Sequence, residues 1–246
     1  MRMRQAIKEY LKNYPLAFAV ARRFSRLLPP VTIQGLVRDG LKGKPGVFFV
    51  QIGSNDGLGG DPIRDLILRN TGWRGIFIEP VSFLYQRLRQ NYSNSDRFIF
   101  ENVAIGAERC ARMFYYVRPD AQKFLGEELP PWHDQLGSFD RQHILNHLGA
   151  KIEPYIAEET IECYPLQEIF SRNGVRNIDL LHVDTEGFDY QVISQVDFDR
   201  YRPPVILYEH KHLPPDERDQ ARTLLKTHGY GLTECDCGDT VAVLKG

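Results

Sequence analysis

Cysteine is scarce in this chain, and the four present (Cys110, Cys163, Cys235, Cys237) are scattered. A disulfide scaffold is thereby excluded, and the thiols read as reduced groups of a cytoplasmic protein. Cys235 and Cys237 form a Cys-x-Cys pair without the second ligand pair that a zinc knuckle needs. Long apolar runs are missing too. The longest uncharged stretches near the N-terminus, residues 13–21 and 27–37, are nine and eleven residues, whereas a bilayer span needs about 20. No small-residue cleavage pattern follows a long apolar core, so no signal peptide is expected. Three fingerprints are also lacking. There is no Gly-x-x-x-x-Gly-Lys-Ser/Thr phosphate cradle and no Gly-x-Ser-x-Gly nucleophile turn. Gly-x-Gly-x-x-Gly fails because Asn55 stands at the second glycine's place, which disfavours a dehydrogenase.

What is present suits one large domain with an appendage: 246 residues, 42% hydrophobic and 11% aromatic. A formal net charge of −1 hides an asymmetry. Residues 1–44 hold ten Lys/Arg against Glu9 and Asp39, an excess of eight, so the remainder carries nine net negative charges. We therefore divide the chain into a basic helical arm (1–44) and a body (45–246). Ile7, Tyr10, Leu11 and Tyr14, then Leu16, Val20, Phe24, Leu27 and Leu28, recur at helical spacing until Pro29-Pro30. A packed cap, or a dimer element, is the simpler reading of the arm. Peripheral contact with an anionic membrane through residues 1–30 is the alternative, with Arg22, Arg23 and Arg26 flanking the apolar stripe. No nucleic-acid partner is expected.

The body begins with residues 47–52, an apolar run ended by Gly53 and typical of a strand buried on both faces. Asp61-Pro62 opens a helix, 75–80 is a second strand, 81–92 a second helix, and 98–105 a third strand. This alternation predicts a parallel, doubly wound α/β sheet. Residues 107–160 have weaker patterning: a strand over 112–117, a long loop over 119–137, a helix over 139–148 and a strand over 160–164. Regularity returns with residues 178–193, then a strand over 205–209, a helix opened by Pro214-Pro215, and a terminal hairpin, 230–235 with 240–244.

Two strand ends carry the chemistry, because ligands of such sheets bind beyond the strands' carboxyl ends. The turn Gly53-Ser54-Asn55-Asp56-Gly57 follows the first strand, and Glu79 ends the second, 22 residues after Gly57. A glycine turn with an acid at that distance suits a nucleoside, the acid accepting both ribose hydroxyls. The run 178–183 delivers Asp184 and Glu186 to its tip, and the strand after it ends in Glu209 and His210.

Together these pieces resemble an S-adenosylmethionine-dependent methyltransferase, and more narrowly the FkbM family. The matching segments are 51–57 (Gln-Ile-Gly-Ser-Asn-Asp-Gly), 77–80 (Phe-Ile-Glu-Pro), 102–106 (Asn-Val-Ala-Ile-Gly), 137–139 (Gly-Ser-Phe) and above all 178–187 (Ile-Asp-Leu-Leu-His-Val-Asp-Thr-Glu-Gly). The resemblance implies a Rossmann-like, seven-stranded sheet with an antiparallel final strand. It also implies O-methylation of a hydroxyl on a small-molecule, carbohydrate or lipid-linked acceptor. Carried over, Gly53, Ser54, Asn55 and Asp56 would line the methionine end of the cofactor and Glu79 would hold the ribose. Asn102, Val103 and Ala104 would border the adenine, and Asp184 would face the reaction centre. Gln51 departs from the pattern, standing where an acid is usual.

An alcohol must lose its proton as it accepts a methyl group, so a base or metal is expected near it. We take His210 as base, with Asp184 orienting it and Glu209 beside them. A divalent ion on Asp184 and Glu209 is the rival arrangement. Glu186 either joins Asp184 in the chemistry or caps the following helix, His182 is a hydrogen-bonded core residue, and Trp132 and His133 belong either to an ordinary surface loop or to a substrate lid. A nicotinamide-dependent oxidoreductase and a non-catalytic nucleoside-binding module are the alternative functions.

Overall fold

The computed structural model describes residues 32–92 and 96–245. The expected arm helices over 7–28 lie outside them. Of the arm, helix α1 (Ile33–Gly40) is described. Its Thr32 side chain accepts the Gly35 N–H, satisfying one of the unpaired donors of a first helical turn. Among the described residues, no helix is long and apolar enough to cross a membrane.

Seven strands make the main sheet: β1 (Phe48–Ile52), β2 (Arg74–Ile78), β3 (Phe98–Glu101), β8 (Leu180–Val183), β9 (Val205–Glu209), β10 (Tyr230–Glu234) and β11 (Asp239–Leu244). Their order is β10-β11-β9-β8-β1-β2-β3. All run parallel except β11, which is antiparallel to both β10 and β9. The strand order turns outward in both directions from β1 and β8, so their C-terminal ends flank a natural crevice.

The continuous apolar runs are explained by burial on both faces. Val50, Ile52, Leu181, Val183, Ile206 and Tyr208 pack on one side with Leu166, Ile169 and Phe170 of α6 (Leu166–Arg172), Val192 of α7 (Asp189–Ile193), and Ala221 and Leu225 of α8 (Pro215–Thr227). The alternate residues Phe49, Phe77, Leu180, Val205 and Leu207 pack on the other. There they meet Val37 of α1, Ile67 of α2 (Arg64–Arg69) and Leu88 of α3 (Ser82–Asn91). Each such side chain contributes roughly 1.5–3 kcal/mol when fully buried. Gln51 and His182 share the second face, stand opposite each other in register, and are buried. They are the polar interruptions of these runs, next to the strand tips.

The third strand departs from expectation. It leaves the main sheet after Glu101, and Ala104–Ile105 (β4) joins a second sheet, ordered β4-β7-β5-β6. The side chain of Asn102 makes the break, its Nδ2 donating to the Glu79 and Pro80 carbonyls at 2.9 Å each. The other strands of this sheet are β5 (Cys110–Val117), β6 (Gly137–Ser138) and β7 (Ile156–Tyr164). The presumed long loop contains α4 (Ala121–Leu125) and two 3-10 turns, and α5 (Arg141–Leu148) starts at Asp140, whose carboxylate accepts the Gln142 N–H.

Candidate active site

The strand tips and the second sheet enclose a cavity of about 540 Å³. Its first wall is the turn after β1. Gly53 has φ +76, and a Cβ there would lie 1.7 Å from the Asp184 carbonyl oxygen, so only glycine lets the β1 and β8 tips meet. Asn55 is left-handed too, at φ +51, a conformation that asparagine tolerates better than most residues. Glu79 stands just beyond β2 with both carboxylate oxygens engaged. Oε2 accepts the Asn55 N–H at 2.7 Å and Oε1 the Val81 N–H at 2.9 Å. The glycine turn and the distant glutamate are therefore one unit, as their spacing implies. Burial pushes the Glu79 carboxyl up to about 7 despite those two donors. Ser54 is structural in its side chain: Oγ donates to the Gln51 carbonyl and accepts the Ile78 N–H.

Gln51 and Asp61 complete this end. Asp61 Oδ1 accepts the Ile63 N–H at 2.9 Å, and its carboxyl lies against the Gln51 side chain. The α2 helix starts after this turn, so Asp61 precedes the helix proper rather than capping it directly. Gln51 Oε1 and Asp61 Oδ2 are buried, and neither has a hydrogen-bond partner among the described residues. Both residues line the cavity, so acceptors left unpaired at a cost of about 1–3 kcal/mol each stand beside any ligand with N–H donors bound there. Asp61 thus places an acid near the position where Gln51 lacks one.

The lining contributed by β8, the turn after it and α5 is acidic and histidine-rich. Asp184, Glu186, His143, His182 and His212 all line the cavity. Burial, and then the carboxylates of Glu209, Glu186 and Asp189, push the Asp184 carboxyl well above its usual range. A cation entering the cavity would favour its ionised form. Burial would raise Glu186 as well, but His143, His212 and Lys211 bring it below its ordinary value. Burial lowers His182 to about 3 and His212 to about 4.

Several expected roles change. His210 is buried but does not line the cavity; its Nδ1 pairs with Thr240 Oγ1 at 2.8 Å, and its charged surroundings are Arg218, Glu234, Asp239 and Arg222. Beyond His210 the chain bends at residues 211–213 instead of continuing as a strand, and His212 is the histidine that reaches the cavity. Glu209 does not line it either, its Oε1 pairing with Lys211 Nζ at 2.6 Å. Asp56 closes its own turn, Oδ1 accepting from Leu58 and Gly59, and Asn102 holds the β3–β4 break, whereas Val103 and Ala104 do form the wall. Glu186 caps no helix. It sits at φ +53 with its carboxylate toward two histidines, and Asp189 ties the tips instead, accepting from Thr185 and from the Glu209 N–H. His182 Nδ1 has no hydrogen-bond partner among the described residues, so it is a cavity residue rather than a satisfied core one. Trp132 and His133 stay out of the cavity; Gln135 lines it, its carbonyl accepting from Asn55 Nδ2.

The methyltransferase FkbM domain model matches residues 51–232. Among solved structures, methyltransferase FkbM from Methylobacillus flagellatus aligns at a TM-score of 0.50 with 15% identity, covering 82% of this chain and 44% of that one. The chain thus spans less than half the length of that protein. A precorrin-6y C5,15-methyltransferase from Geobacter metallireducens aligns at 0.44 with 11% identity, over 86% and 85% of the two chains. An S-adenosylmethionine-dependent O-methyltransferase from Thermotoga maritima aligns at 0.42 with 7% identity, over 89% and 68%. No curated protein matches the chain. The fold is that of class I methyltransferases.

Proposed function

This chain belongs to the FkbM methyltransferase family, and from that membership we propose that it transfers a methyl group from S-adenosylmethionine to a hydroxyl oxygen of a small-molecule, carbohydrate or lipid-linked acceptor. The observation that carries the cofactor's placement is the pair of orphaned acceptors, Gln51 Oε1 and Asp61 Oδ2, in the same cavity as Glu79. A ligand that brings an ammonium group and a ribose diol fits this donor-poor wall, because carboxylate and amide oxygens accept from both. Gly53 lets the β1 and β8 tips close together at the cavity wall, and Val103 and Ala104 offer apolar surface for its base. When bound, S-adenosylmethionine supplies a methyl group already activated on a cationic sulfur.

The protein then has two tasks. It must align the acceptor in a site shielded from water, where orientation provides most of the rate gain. It must also take the hydroxyl proton as the O–H bond breaks and the oxygen lone pair forms the new O–C bond, the S–C bond breaking with its electron pair left on sulfur as a neutral thioether. We assign that proton to Asp184, which lines the cavity where Glu186, His143 and His212 gather. His210 is released from the role because it faces Thr240. The test is a methyl-transfer screen against hydroxylated acceptors, with products analysed by mass and by the methyl carbon's NMR shift. Methoxy products support the reading. Methyl groups found only on carbon or nitrogen refute the oxygen assignment, and failure to bind S-adenosylhomocysteine in calorimetry refutes the cofactor.

A further inference from the structure

In the acidic lining of the cavity, four side chains from three separate parts of the chain point their polar atoms at one another. His143 comes from α5, Glu186 follows β8, and Glu209 and His212 belong to the end of β9 and the turn after it. Glu186 Oε2 lies 3.4 Å from His143 Nε2 and 3.3 Å from His212 Nε2, and His212 Nε2 lies 3.8 Å from Glu209 Oε2. Among the described residues, Glu186 Oε2, Glu209 Oε2 and His143 Nε2 are each buried without a hydrogen-bond partner. Glu209 is 5% exposed, so its free oxygen is cut off from bulk water.

From this convergence we propose that Glu186, Glu209 and His212 bind one divalent ion of the zinc type and leave its fourth position open, with His143 standing beside the site. Donors held about 2.0–2.1 Å from a tetrahedral ion stand roughly 3.3–3.4 Å apart along the edges of the tetrahedron. The Glu186–His212 separation falls in that range, the His212–Glu209 separation needs a few tenths of an ångström of closure, and the three ligand atoms lie within 4.8 Å of one another. Imidazole nitrogen mixed with carboxylate oxygen suits zinc better than the all-oxygen shells of calcium or magnesium. The charge balance points the same way. Asp184, Glu186, Asp189 and Glu209 act on one another through the interior, with Lys211 against them, occupied by the other oxygen of Glu209. Glu186 also holds its carboxylate there from a left-handed backbone at φ +53, a conformation that non-glycine residues adopt only at a cost. His147, one turn below His143, donates from Nδ1 to the His143 carbonyl at 2.8 Å, so its Nε2 is left at the rim of the cluster beside His143 and His212. The order of the site is thus built by tertiary contacts that reach from residue 143 to residue 212.

The site stands on its own geometry, while its role rests on the methyltransferase reading. His143, Glu186 and His212 line the cavity together with Asp184. An ion there would draw electron density from an acceptor hydroxyl and ease the passage of its proton to Asp184.

Chelator-stripped full-length protein titrated with zinc chloride tests the proposal, with cobalt(II) absorption as a second reading of the geometry. The expected result is one zinc per chain at micromolar affinity or tighter, weakened about 100-fold in H212A and in E186Q, with the visible absorption of tetrahedral cobalt in the unaltered chain. A Cys235→Ser/Cys237→Ser variant should bind zinc normally. No binding tighter than about 100 μM, a six-coordinate cobalt spectrum, or zinc lost in the cysteine variant and kept in H212A would each overturn the site. Should a variant fail to fold, the cobalt spectrum of the unaltered protein decides. S-Adenosylhomocysteine titrated into the same stripped protein separates the two readings: nucleoside binding without zinc sinks this inference alone, and zinc without nucleoside sinks the cofactor reading alone.

Discussion

Replacing Glu79 with glutamine tests the centre of the nucleoside site through an effect that runs opposite to most buried acids with hydrogen-bond partners. The carboxyl is 4% exposed, and burial outweighs its two backbone donors, so its folded pKa rises from 4.5 to about 7. The folded protein therefore holds this proton more tightly than the unfolded chain does. The stabilising contribution is complete below pH 4.5, where both states are neutral, and is lost as pH rises through about 7. At about 1.4 kcal/mol per pH unit, the gap amounts to ~3 kcal/mol. Urea denaturation of the unaltered protein and Glu79→Gln at pH 5, 6, 7 and 8 reads this directly, since groups common to both cancel in the difference. The stability of the unaltered protein should fall by ~2–3 kcal/mol relative to the variant between pH 5 and 8. A ligand that donates hydroxyls to the carboxylate prefers its ionised form. S-Adenosylhomocysteine should thus bind more tightly as pH rises through 7, by up to about tenfold per pH unit below it, and this dependence should vanish in Glu79→Gln. A stability difference that stays flat from pH 5 to 8 would refute the claim that burial dominates at Glu79.

Three other expectations follow from the same geometry. Asp61→Asn should weaken S-adenosylhomocysteine about tenfold or more, the loss of one charge-assisted hydrogen bond, yet leave 5′-methylthioadenosine, which has no ammonium, unchanged in calorimetry. Equal losses for both would remove the orphaned acceptors from that role. Gly53→Ala forces a left-handed alanine, ~1–2 kcal/mol by itself, into a 1.7 Å overlap with the Asp184 carbonyl. Differential scanning calorimetry should record a Tm lower by at least roughly 5 °C, and an unchanged Tm would mean the strand tips do not touch. His210→Ala should cost about 1–3 kcal/mol by stranding buried Thr240 Oγ1 while S-adenosylhomocysteine affinity stays within about twofold. A tenfold loss of affinity would put His210 back in the cavity.

The parts of the site that follow from a single strand and its turn were legible in the sequence. Gly53, Asn55 and Glu79 meet because β1 and β2 are adjacent parallel neighbours, and their spacing already placed them at equivalent ends. Val103 and Ala104 came from the FkbM resemblance and not from spacing, and both line the cavity. Asp61 was read as the start of a helix, and its second oxygen, turned toward Gln51, left no trace in spacing. Asp189 was missed because an acid inside a helical pattern reads as a solvated residue, although it is fully buried and bonds the next strand. His212 left no signal, because strand alternation would place it with His210, and only the bend at residues 211–213 turns it toward Glu186 and Glu209.

By itself the sequence determined the sheet. Apolar runs, their lengths and their punctuation dictate which segments must be buried on both faces, and parallel connections leave few ways to stack them. Only the tertiary structure decided which polar atoms face one another across the crevice. His143, Glu186, Glu209 and His212 lie on separate segments whose local patterns are indifferent to their meeting. Their convergence depends on how α5 packs across the tips of β8 and β9, a matter of three-dimensional distance that linear spacing does not encode.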